Sequence, residues 1–215
     1  MRAALVFAVF ALAMACKAEK DPPASKPATG SGSAGSATTA ARPGVPLDQA
    51  RLDAISKIKL PFPEQGVEML DASVVNVRVV SAEPKRIGRV AASRCVDCKK
   101  LDLAEWKARS EELKIGLPGP VRAQPSTVFE VGELRIGSDD VIYTYWAGVA
   151  KTEDEHINSH ALALYWNDGV NQLRVVVQDG NIPTALTVEQ LVQIVPRAEL
   201  EAAAKQLFAS VRPSL

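Results

Sequence analysis

The chain has 215 residues in which 25 Lys and Arg are balanced by 25 Asp and Glu, so its formal net charge is zero. That balance, with no long basic stripe, removes the attraction behind most non-specific nucleic-acid binding, and no nucleic-acid partner is expected.

The N-terminus reads MRAALVFAVFALAMACKAEKDPP. A basic Arg2, an apolar run over residues 3–14 and a small residue at Ala15 have the order of a secretory signal segment, assigned to residues 1–15. The run is too short for a retained transmembrane helix, which needs roughly 20 apolar residues. The stretch Ala13-Met14-Ala15-Cys16 resembles the lipobox of bacterial lipoproteins. That resemblance implies lipidation of the Cys16 thiol, with palmitate among the chains, and cleavage that leaves Cys16 first. In the same pattern, Lys17 after the cysteine resembles outer-membrane sorting, which makes the membrane a partner through the N-terminal lipid. An ordinary cleaved signal, with Cys16 a bystander, is the alternative.

Residues 16–46 carry the lipidated end and a tether rich in Ala, Ser, Gly and Pro, with no aromatic residue to offset its ordering entropy. As a flexible coil, such a length spans roughly 30 Å end to end. Residues 47–215 then suit a single globular domain with a sizeable core.

Within that domain, Asp48 is placed to cap a helix that presents Leu52, Ile55 and Ile58 and ends at Pro61. Residues 74–80 and 87–91 read as strands, with Val75, Val77 and Val79 on one face and Asn76 and Arg78 on the other. Asp102 and Glu105 have capping-box spacing before a helix, and Glu105 is four residues from Arg109. Residues 128–134, 141–149, 161–166 and 173–178 read as four more strands, with a hairpin turn at Asn167-Asp168-Gly169 and a turn at Asp139-Asp140. Thr187 and Gln190 cap one C-terminal helix, and Pro196 opens a second whose apolar face is Leu200, Ala204, Leu207, Phe208 and Val211. The class is α+β: a mostly antiparallel sheet packed against helices, the C-terminal ones included.

Five rings on the central strands, Tyr143, Tyr145, Trp146, Tyr165 and Trp166, are candidate binding residues, set against ordinary cross-strand packing. With Cys16 assigned to lipid, Cys95 and Cys98 are left as an even pair, and export to the periplasm favours a disulfide bond between them. Their C-x-x-C spacing is similar to that of a thioredoxin-like site, which implies thiol–disulfide oxidoreductase activity as the alternative function. The apolar strand that such a site needs before the pair is replaced by AASR, and Ile182-Pro183-Thr184 only faintly resembles its cis-proline step.

Cys95, Cys98, His156 and His160 are zinc-ligand types, but EDEHINSH reads as a solvated loop and the two pairs lie far apart in sequence. No catalytic motif, metal site or cofactor is therefore assigned. The expected function is a lipid-anchored envelope protein whose domain binds or scaffolds another envelope protein without catalysis.

Overall fold

The structure, a computed structural model, describes residues 50, 53, 64–71, 74–80, 86–94, 98–179 and 187–215. The signal segment, Cys16, the tether, Cys95 and Ile182-Pro183-Thr184 lie outside these residues, as does the helix expected after Asp48 apart from helical positions 50 and 53.

Seven strands stand among the described residues: β1 Glu64–Asp71, β2 Val74–Val80, β3 Arg86–Arg94, β4 Val128–Ile136, β5 Asp139–Lys151, β6 His156–Asn167 and β7 Asn171–Asp179. They form one sheet in the order β1-β2-β3-β7-β6-β5-β4, and every neighbouring pair is antiparallel. Between β3 and β4 lie short helices α1 Leu103–Ala108, α2 Ser110–Leu113 and α3 Gly119–Arg122; after β7 come α4 Val188–Ile194 and α5 Arg197–Val211. The expected α+β class is what the chain adopts. β2 has the bounds read from the sequence and β3 to β7 run longer, while β1, EQGVEMLD, which the sequence reading did not give, lacks clean alternation.

Side-chain alternation divides the sheet into two faces. The first face carries Val77 and Val79 of β2, Val90 of β3, Tyr143 and Tyr145 of β5, Leu162 and Leu164 of β6, and Val175 and Val177 of β7. Onto it pack α4 and α5, which bury Leu191, Leu200, Ala204, Leu207, Phe208 and Val211, so the apolar stripe read from the sequence is core. Gly88 lets α5 lie close: a Cβ there would meet Leu207 Cδ1 and Val79 Cγ2 at 2.6 Å. The second face is covered over β4, β5 and β6 by α1 to α3, with a small core of Leu117, Val121 and Ala150.

The caps follow the sequence. Asp102 Oδ1 accepts from the Glu105 N–H at 2.8 Å, and Thr187 Oγ1 accepts from the Gln190 N–H at 3.2 Å. Glu105 turns away from the expected Arg109, however, and pairs with Lys99 at 2.7 Å, leaving Arg109 to Glu112.

Asp168 and Gly169 make the β6–β7 turn, with Gly169 at φ 90° and Asp168 Oδ1 accepting from the N–H groups of Val170 and Asn171. Asp139 and Asp140 are not the turn expected of them. Gly137, at φ 61°, and Ser138 make that turn, and the two aspartates open β5. The reason is glycine's freedom at positive φ, which the aspartates do not need once they are paired across to β4.

The chain's end is fastened to the sheet. The Arg212 guanidinium lies 3.7 Å from the centre of the Trp166 ring and pairs with Asp139 at 3.1 Å, while Asn171 Nδ2 donates to the Leu215 carbonyl at 3.2 Å.

Candidate functional site

The β5–β6 register decides where the five candidate rings go. Tyr143, Tyr145 and Trp166 point into the first-face core and are 8%, 4% and 5% exposed. Trp146 and Tyr165 point to the second face and are half-buried there. The five rings therefore do not share one surface. Trp166 Nε1 donates to Asp139 at 3.1 Å and Trp146 Nε1 to Ser159 at 3.0 Å, and the Tyr165 ring lies 4.6 Å from that of Trp106.

Around the two tyrosines the first face carries a row of polar groups that crosses five strands: Glu130 on β4, Tyr143 and Tyr145 on β5, His160 on β6, Asp179 on β7 and Arg86 on β3. Asp179 Oδ1 lies 2.9 Å from Arg86 and its Oδ2 lies 3.2 Å from His160 Nδ1, with both acidic and imidazole side chains essentially inaccessible. His160 Nε2 lies 3.1 Å from the Tyr145 hydroxyl, so both ring nitrogens have a polar partner.

Two residues from the first turn of α5 close the row at either end. Glu199 takes Arg86 at 2.6 Å, and Arg197 grips Glu130 through two bonds of 2.6 and 3.0 Å. Arg197 also lies 4.7 Å from the Tyr145 ring centre and 5.2 Å from that of Tyr143, whose hydroxyl receives a bond from Arg197 and donates to Glu130.

The electrostatics follow from these contacts. Arg197 holds the Glu130 carboxyl below the usual carboxylate range, against an opposing effect of burial. Burial raises the phenol of Tyr145, and burial together with the Glu130 bond raises that of Tyr143, so both stay neutral well above physiological pH. Neutral phenols and an imidazole with both nitrogens engaged make this row a brace that aligns five strands with α5.

His156 and His160 are not the solvated loop expected of EDEHINSH. His156 opens β6, and His160 is buried in the row because strand alternation turns it toward the core. Among the described residues no three His, Cys, Asp or Glu side chains converge as metal ligands.

The expected Cys95–Cys98 disulfide is not found as a pair among the described residues, because Cys95 lies outside them. Cys98 is itself disulfide-bonded. The membrane expectation finds no support in the fold: no helix among the described residues is long and apolar enough to cross a membrane.

On the second face, β3 and β7 carry side chains that the sequence reading did not single out. Arg89 and Arg174 are exposed, and neither has a carboxylate within ion-pair distance among the described residues. Arg174 sits beside Tyr165 in the β6–β7 register, with its guanidinium 5.4 Å from the ring centre, and Tyr165 is backed by Trp106. Arg89 pairs in register with Val176 of β7 on one side and with Arg78 of β2 on the other.

The alternation of β2 already put Arg78 on this face. Bringing Arg89 and Arg174 together needs the β3–β7 pairing, which no local pattern announces. Two shallow depressions, of about 270 Å³ beside Lys114 and Thr127 and about 220 Å³ beside Lys100 and Asp140, include none of these arginines and none of the buried row.

Comparison with protein-family models, with curated proteins and with solved structures returns no match to this chain.

Proposed function

We propose that this is a lipid-anchored protein of the bacterial envelope, held at the outer membrane through Cys16, whose folded domain binds another envelope component without catalysis. The observation that carries the binding half is the pair of exposed arginines, Arg89 and Arg174, on neighbouring strands with no carboxylate partner among the described residues. A folded domain ordinarily intersperses surface charges of both signs, and guanidinium groups left open on a flat sheet face suit recognition of an anionic partner.

The anchoring half is supported by the order of charge, apolar run and cysteine at the N-terminus, followed by a stretch suited to span the gap between membrane and partner. Stable attachment takes more than one acyl chain, since each buried methylene contributes about 0.8 kcal/mol and a single chain binds only marginally.

Intact-mass measurement of the mature protein from a bacterial membrane fraction tests the anchor. The expected species begins at Cys16 and carries more than one acyl chain. A mature N-terminus elsewhere, or an unmodified Cys16, would refute the anchored half and leave the binding half standing.

A further inference from the structure

We infer that the face built on Arg89 and Arg174 receives an extended acidic segment of a partner protein; this rests on the reading of the domain as a binding module and names what it binds. Register supplies the geometry. Arg174 pairs with Ala91, so it stands one strand across and two residues along from Arg89. With strands about 4.8 Å apart and a rise of about 3.4 Å per residue, the two Cα atoms are about 8 Å apart. Carboxylates at alternate positions of an extended peptide recur about 7 Å apart, so neighbouring acidic side chains on one side of such a segment match the two guanidinium groups.

The face is ready for that ligand. Arg174 is held against Tyr165, which Trp106 backs in turn, so less side-chain freedom is lost when a carboxylate docks. Arg89 stands directly across the strand pair from Arg78 of β2. Arg78 is itself engaged, and the proposal rests on Arg89 and Arg174.

Two observations favour a protein segment over a lipid surface. The exposed large apolar residues among those described are Ile115, Val128, Val170 and Ile194, and none stands on β3 or β7, so the strands that carry the two arginines present no large exposed apolar side chain to a bilayer. On the same face of β7, Gln172, which donates to Ser93, stands next to Arg174 and Gln178 lies beyond Val176; their amides both donate and accept, as a peptide backbone requires.

The test uses the mature chain and three probes: a peptide alternating Glu and Ser, vesicles containing phosphatidylglycerol, and a single-stranded oligonucleotide. Affinity is read by fluorescence anisotropy for the peptide and oligonucleotide and by co-sedimentation for vesicles. The Glu–Ser peptide is expected to bind, and its Gln–Ser counterpart is not. Arg89→Gln and Arg174→Gln should each weaken peptide binding about five- to tenfold, and the double variant should abolish it. Arg122→Gln, on α3, should leave it unchanged. Both replaced residues are exposed, and circular dichroism checks that the variants fold.

Peptide binding indifferent to the two arginines overturns the proposal. Vesicles or oligonucleotide bound through the same arginines in preference to the peptide also overturn it while sustaining a binding face. Failure of all three probes overturns both this inference and the binding reading on which it rests.

Discussion

Glu130 is the residue at which the buried row meets solvent, and its titration links the row to stability. Its carboxyl is held below the ordinary value of 4.5 in the folded protein, first by the Arg197 bonds and then by the Tyr143 hydroxyl. A group whose folded pKa is depressed contributes stability that is present above the unfolded value and lost as pH falls through the folded one. Unfolding in urea should therefore show a loss of stability below about pH 4.5, and Glu130→Gln should remove that part of the slope while lowering stability at pH 7. Because both partners are more than one-third accessible or close to it, the effect at pH 7 is expected at about 1 kcal/mol or less. An unchanged acid limb in the variant would show that the pair does not contribute. Sequence pattern had marked Tyr143 and Tyr145 by their aromatic bulk, which is a packing signal. It gave no hint of Glu130 or Arg197, because a charge-paired carboxylate is written no differently from a solvated one.

At the level of elements, the row is a chain of strand-to-strand contacts, and its least replaceable member is Asp179 at the end of β7. Removing that carboxylate takes one of its partners from buried Arg86 and the Nδ1 partner from buried His160. Asp179→Ala is expected to cost about 3 to 5 kcal/mol in chemical denaturation. Replacing Arg86 by Met and Asp179 by Leu together should recover part of that loss, since an apolar pair buries no orphaned charge; a double variant as unstable as the single one would show that packing at these positions, and not charge pairing, sets the cost. The strands themselves were legible. Val75, Val77 and Val79 alternate as a one-sided strand must, and Thr187 and Asp102 cap as their side-chain oxygens permit. The error at His156 and His160 has a physical source: three acidic residues just before them read as a loop, yet that loop ends at Glu155 and the strand starts at the next residue.

At the scale of the whole molecule, the sheet is two meanders, β1 to β3 and β4 to β7, joined by the pairing of β3 with β7. Hairpins join neighbours in sequence, so a turn signal such as Asp168-Gly169 points to a local pairing, but the seam joins segments separated by the three short helices and three other strands. That separation is why the arginine pair of the second face was not legible, and neither of its residues was singled out. It also determines how tightly the backbone beneath that pair is held. Both β3 and β7 have a hydrogen-bonded neighbour on each side, whereas β4 is an edge with one. In deuterium exchange, amides of β3 and β7 should therefore open only at the free energy of global unfolding, and the outward amides of β4 should exchange well before them. Fast exchange along the seam would reveal two halves that separate on their own. Slow exchange would mean that Arg89 and Arg174 stand on the last part of the chain to loosen, so a ligand meeting them has no backbone to order and loses affinity only through the side chains it must still.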